Sequence, residues 1–172
     1  MKNTKTTYLV FVGLMIAAVC MGTIVIQIPM PATNGFINIG DSIIFITSIL
    51  FGPMPGMIAG GIGSALADIL SGYAHWAIFT LIIKGAEGFI VGVLMKKSIN
   101  KIRMIISSFV GASFMVIGYY IAGGILEGSF IVALESIPGN IMQGVGSIVI
   151  GVPVAMAILK TNYISKNNLI KN

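Results

Sequence analysis

Between Tyr8 and Ile28 the chain runs without one charged side chain, and that run is as long as a bilayer crossing, which takes about 20 apolar residues. In hydrocarbon every backbone N–H and C=O must be paired within the protein, so such a run folds as a helix. Lys2 and Lys5 ahead of it and Cys20 within it also outline a signal peptide with a lipoprotein-type cysteine. The residue before Cys20 is Val19 rather than a small one, and the apolar run continues to Ile28, which favours a retained first helix.

The rest of the chain repeats the pattern. Hydrophobic residues make up 56% of the sequence and charged residues 9%, far from the balance of a soluble domain. No hydrophilic stretch is long enough for a second fold, so residues 1–172 are expected to form one membrane domain. Helices are expected at about 8–28, 41–51, 57–70, 77–95, 104–125 and 139–159. The fold class is therefore an all-α integral membrane protein, a six-transmembrane-helix bundle. Between the short second and third helices, Gly52-Pro53-Met54-Pro55-Gly56 is expected to form a tight turn.

The formal charge of +5 does not point to nucleic acid, because the basic residues collect at the termini and in one loop. With six crossings, Lys2 and Lys5, then Lys96, Lys97, Lys101 and Arg103, then Lys160, Lys166 and Lys171 share one side. The positive-inside rule makes that side the cytoplasm and places both termini there. The connections 29–40, 71–76 and 126–138, which contain no lysine or arginine, then lie outside. The proline- and glycine-containing stretch from Pro29 to Phe36 is expected to act as a lid that becomes ordered over ligand.

An ionisable group at membrane depth costs several kcal/mol unless it is paired or faces a polar cavity, so it marks a functional site. Asn38, Asp41, Asp68, Lys84 and Glu87 lie in otherwise apolar segments, and Asn140 and Gln143 open the last helix. Lys84 and Glu87, spaced i,i+3, can neutralise each other. Tyr73, His75 and Trp76 sit in the outer connection between them, either as ligand contacts or as interfacial anchors. Tyr119 and Tyr120 read as packing or belt residues. Gly56, Gly60, Ser64 and Asp68 recur every fourth residue, a small-residue face for close helix approach. Gly88 and Gly92 form a neighbouring stripe.

Chemical motifs are missing: the sequence has no phosphate loop, no nucleophile elbow, and no second histidine or cysteine for a metal centre. No cofactor, metal or catalytic residue is expected, and the chain is not expected to be an enzyme.

The runs Asn38-Ile-Gly-Asp41, Phe51-Gly-Pro-Met-Pro-Gly56, Ala59 to Asp68, Gly72-Tyr73 and Ile83-Lys84-Gly-Ala-Glu87-Gly88 resemble the substrate-binding S components of energy-coupling factor (ECF) vitamin transporters. The likeness is greatest to the branch associated with vitamin B6 and the hydroxymethylpyrimidine precursor of thiamin, and smaller to the riboflavin branch. The resemblance implies a prokaryotic, multi-pass protein of the cell membrane that binds a vitamin-like substrate at the outer face. It also implies partners, namely a coupling protein of EcfT type and two ATPase subunits. In that family the first helix often docks the coupling protein through Ala-xxx-Ala. Here the equivalents are Gly13-xxx-Ala17 and Ala18-xxx-Gly22, and both stand open. The rival readings are a proton-coupled secondary transporter using Asp68 or Glu87, and a membrane enzyme built on Asp41, Asp68 and His75.

Overall fold

The computed structural model describes residues 4–30 and 35–161. Lys2, Lys166 and Lys171 of the orientation argument, and the middle of the expected lid, lie outside those residues. Helix α1 spans Thr4–Val25, and strands β1 (Gln27–Met30) and β2 (Gly35–Asn38) follow as an antiparallel pair with Gln27 opposite Asn38. Then come α2 (Gly40–Phe51), α3 (Pro53–Leu70), α4 (Ala77–Met95), α5 (Lys101–Leu126), the four-residue α6 (Phe130–Ala133) and α7 (Ser136–Lys160).

The fold is mostly helical, as expected, and this hairpin is an addition to the expected helices. Pro29 disfavours helical geometry at Ile28, so α1 stops at Val25 and the chain turns into a two-stranded ribbon. Both strands are edges, where a proline is tolerated.

The expected turn at residues 52–56 is corrected. Gly52 alone makes the change of direction, at φ +88°, and α3 begins at Pro53. The first N–H groups of a helix have no intrahelical acceptor, so prolines in its first turn forfeit nothing. The same logic starts α7 at Ser136, ahead of Pro138. At α5 the Asn100 side chain accepts the Arg103 N–H at 2.8 Å and begins the helix at Lys101, three residues before the expected Met104.

α3 packs most extensively on α4, α1 lies against α3, α5 bridges α4 and α7, and α7 packs on α2. The α3–α4 seam is built from glycine. A Cβ at Gly60 would come within 2.7 Å of the Lys84 carbonyl oxygen, and one at Gly88 would run into the Gly56 backbone. One apolar core joins Phe45, Leu50, Val91, Met104 and Val152; another, at the opposite end of α4 and α5, joins Trp76, Ile83, Met115 and Ala122. Outside, Leu70, Ile78, Ile102, Phe109 and Ile131 stand exposed, an apolar perimeter that water would not tolerate and lipid does. Among the described residues, four segments are long and apolar enough to cross a bilayer: Thr6–Val25, Ala77–Met95, Lys101–Leu126 and Phe130–Lys160.

Candidate functional site

Asp41 at the start of α2, Asp68 near the end of α3, Lys84 and Glu87 in α4, and Gln143 near the start of α7 are all buried. The alternating chain direction brings them to one end of the bundle, beneath the β1–β2 hairpin. The Lys84 ammonium donates to Asp41 Oδ1 at 2.5 Å and lies 3.2 Å from Glu87 Oε2. Gln143 Nε2 donates to Asp41 Oδ2 at 2.8 Å, and its Oε1 accepts the Asn38 backbone N–H at 2.8 Å. Asn38 Oδ1 in turn accepts the Gly40 N–H. One polar chain thus runs from Glu87 in mid-helix to the hairpin backbone. Asn140 is buried one turn before Gln143.

A second arm runs through α5. The Tyr119 hydroxyl bonds Thr80 Oγ1 at 3.1 Å, Thr80 neighbours the Asp68 carboxylate as a hydrogen-bonding group, and the Tyr119 ring centroid lies 5.3 Å from Lys84 Nζ. Cation–π contact of this kind contributes about 0.5–2 kcal/mol, more as it is desolvated. Thr80 and Tyr119 are absent from the sequence-derived set. Tyr119, expected to be a packing or belt residue, contacts the buried ammonium. Its signal was available: Ala112, Met115, Tyr119 and Ala122 recur on one helical face, the one turned inward.

Trp76 is buried against Tyr119, with ring centroids 5.9 Å apart, so it is not an exposed anchor. His75 is exposed; its ring lies 6.2 Å from Trp76 and 6.4 Å from Tyr73. The Tyr73 ring packs tilted against Phe36 of the hairpin, with centroids 4.9 Å apart. An aromatic series therefore leads from the hairpin to the polar cluster. Gln27 Nε2 also ties the hairpin to Ser71 Oγ at 2.8 Å.

The cluster holds three carboxyl groups against one ammonium. Glu87 Oε1 and Asp68 Oδ2 are buried without a hydrogen-bond partner, as are the hydroxyls of Ser42, Ser64 and Ser147, and Glu87 Oε2 meets only the Lys84 ammonium. Buried polar groups are normally satisfied, so this surplus of acceptors suits a guest that brings N–H or O–H donors. Among the described residues no group of His, Cys, Asp and Glu is arranged to hold a metal ion.

The small-residue motifs of α1 separate cleanly. Gly13 and Ala17 are exposed beside Leu14 and Met21, and a Cβ at Gly13 would meet nothing. Ala18 and Gly22 are partly buried, and a Cβ at Gly22 would lie 2.6 Å from Ile43 Cδ1.

An apolar-walled helical bundle holding a buried polar cluster beneath a hairpin is the architecture of a membrane-embedded binding subunit. The chain belongs to the family of S components of ECF-type riboflavin transporters, whose family model matches residues 3–160. It is a substrate-binding transporter subunit for a vitamin-type substrate, not an enzyme.

Among its relatives, the Pyrococcus woesei "uncharacterized protein in gap 3′ region" is 43% identical over 78% of this chain and 89% of its own length. The thiamine precursor transporter HmpT of Lactococcus lactis subsp. cremoris is 29% identical over 80% of this chain and 78% of its own. In fold, the chain is similar to the crystal structure of an S component for biotin from an ECF-type ABC transporter, with a TM-score of 0.63 and 22% identity over 90% of this chain and 93% of that one.

Proposed function

We propose that this protein captures a small aromatic vitamin precursor carrying ring or exocyclic N–H donors, of the hydroxymethylpyrimidine type, for import across the cell membrane. The observation that carries the reading is the acceptor-rich cluster itself, three carboxyl groups to one ammonium with Glu87 Oε1 and Asp68 Oδ2 unpartnered. An aminopyrimidine offers an amino group to a carboxylate and a flat face to Tyr73, Trp76 or Tyr119. The HmpT relative, a thiamine precursor transporter by name, supports this choice. Vitamin B6 and riboflavin are the competing ligands; the family model's description favours riboflavin.

The remaining assignments form one picture. The chain crosses the membrane six times with both termini in the cytoplasm, so that the hairpin and the cluster face outward. Asn38, Asp41, Asp68, Tyr73, Trp76, Lys84, Glu87, Asn140 and Gln143 line the ligand site, with His75 at its rim. A coupling protein of EcfT type and two ATPases supply the energy. The open Gly13-xxx-Ala17 face of α1, flanked by Leu14 and Met21, docks the coupling protein in preference to Ala18-xxx-Gly22, which is occupied by the chain's own α2.

Trp76 is the only tryptophan and serves as a built-in reporter. Titration of the purified protein with 4-amino-5-hydroxymethyl-2-methylpyrimidine, pyridoxine and riboflavin, read by its fluorescence and by calorimetry, tests the proposal. Tightest binding of the aminopyrimidine is expected. Tighter binding of riboflavin or pyridoxine would replace the substrate while leaving the subunit's role intact.

A further inference from the structure

At the end of the bundle far from the ligand cluster, the last turn of α4 and the first turns of α5 enclose a cavity of about 460 Å³. Its lining is sharply divided. Leu94, Ile102 and Ile106 provide exposed apolar walls, and Lys97 and Arg103 line it with positive charge. The guanidinium is held in place: Arg103 Nη1 donates to Ser98 Oγ at 2.9 Å, and the Arg103 N–H is fixed by Asn100. Lys96 and Lys101 add two more charges in the same short connection, which contains no acidic residue. Among the described residues none of these four cations has an acidic partner.

Both helices are membrane-crossing candidates, so the connection between Met95 and Lys101 lies at a bilayer boundary. A ligand that fits must therefore carry a negative head beside an apolar tail. We infer that this cavity is a binding site for an anionic phospholipid, its phosphate held by Lys97 and Arg103 and an acyl chain lying along Ile102 and Ile106. A juxtamembrane cation contributes about fivefold to the attraction of an anionic lipid, and a preset guanidinium adds directed N–H donors for phosphate oxygens.

The test uses the full chain in neutral detergent, with native mass spectrometry counting bound lipid and thermal unfolding measured in parallel. Phosphatidylglycerol and phosphatidylcholine of identical acyl chains are compared, and inorganic phosphate is a separate arm. The expected result is retention of phosphatidylglycerol at least about fivefold better than phosphatidylcholine, with a matching rise in melting temperature. Lys97→Gln and Arg103→Gln should each lower that retention about fivefold. Lys160→Gln, at the end of α7, should not.

Lys97 makes no hydrogen bond or ion pair within the chain among the described residues, so Lys97→Gln keeps the test valid if Arg103→Gln disturbs the α5 cap. Equal retention of the two lipids, or full retention by Lys97→Gln, overturns the proposal. Displacement of the lipid by millimolar phosphate, with the same stabilisation from phosphate alone, would also overturn it, by assigning the site to a free anion.

Discussion

The Lys84 ammonium lies 2.5 Å from Asp41, forty-three residues away in sequence, and 3.2 Å from Glu87 one helical turn along. The long-range partner makes the shorter contact. The ion pair therefore joins α2 to α4 rather than merely quenching charge along one helix. Removing one member of a buried pair costs about 3–5 kcal/mol, because the other is left uncompensated. Asp41→Ala and Lys84→Ala should each lower the melting temperature in detergent and abolish measurable ligand binding. The double variant should be less unstable than the sum of the two, a coupling read from a double-mutant cycle. Additive losses would mean that the pair is not the joint.

Tyr119 makes two separable contacts with the site. Tyr119→Phe keeps the ring near Lys84 and loses only the Thr80 hydrogen bond, so about 1 kcal/mol, or about fivefold in ligand affinity, is the expected loss. Tyr119→Leu loses both, and a larger drop should follow. Calorimetric titration of the two variants distinguishes these outcomes; equal affinities would remove the ring from the site.

The α3–α4 seam is predicted to tolerate no side chain at Gly60 or Gly88. Gly60→Leu and Gly88→Leu would force the helices apart at the Lys84 carbonyl and the Gly56 backbone, at a cost of about 1–3 kcal/mol or more. Gly13→Leu, where nothing lies within reach, should unfold at the wild-type temperature. Thermal scans of the three variants check the contrast.

On the first helix, Ala17→Leu should bind ligand normally and fail in uptake by cells that also express the coupling protein and its ATPases, since a bulky side chain blocks close helix approach. Gly22→Leu should instead lower stability, because its position faces Ile43. Parallel binding and whole-cell uptake assays separate the two, and normal uptake with Ala17→Leu would move the docking face elsewhere.

Most of the polar cluster was legible because burying charge is expensive: Asp41, Asp68, Lys84 and Glu87 stand out in any apolar segment. What linear spacing could not reveal was who pairs with whom. The i,i+3 offset pointed Lys84 toward Glu87, and only the packing of α2 against α4 supplies Asp41. The hairpin was invisible for a different reason. Two four-residue strands, the first containing Pro29, carry no alternation, and the hydrogen bonds of Gln27 and Asn38 to Ser71 and Gln143 hold the pair in place. Gly52 shows a third case, where prolines read as turn residues are the first turn of a helix.

With ligand at the proposed site, the polar chain that ends on the Asn38 N–H couples the hairpin to ligand binding. A ligand that competes for Asp41 or Lys84 alters what Gln143 can offer to Asn38, and therefore how firmly β2 is held. Linkage is reciprocal: whatever factor ligand adds to closure of the hairpin, closure adds to ligand affinity. On the proposed site, a binder that holds the hairpin in its bonded position would therefore slow ligand release without touching Asp41 or Lys84, and breaking the Asn38–Gln143 bond from outside would weaken ligand binding.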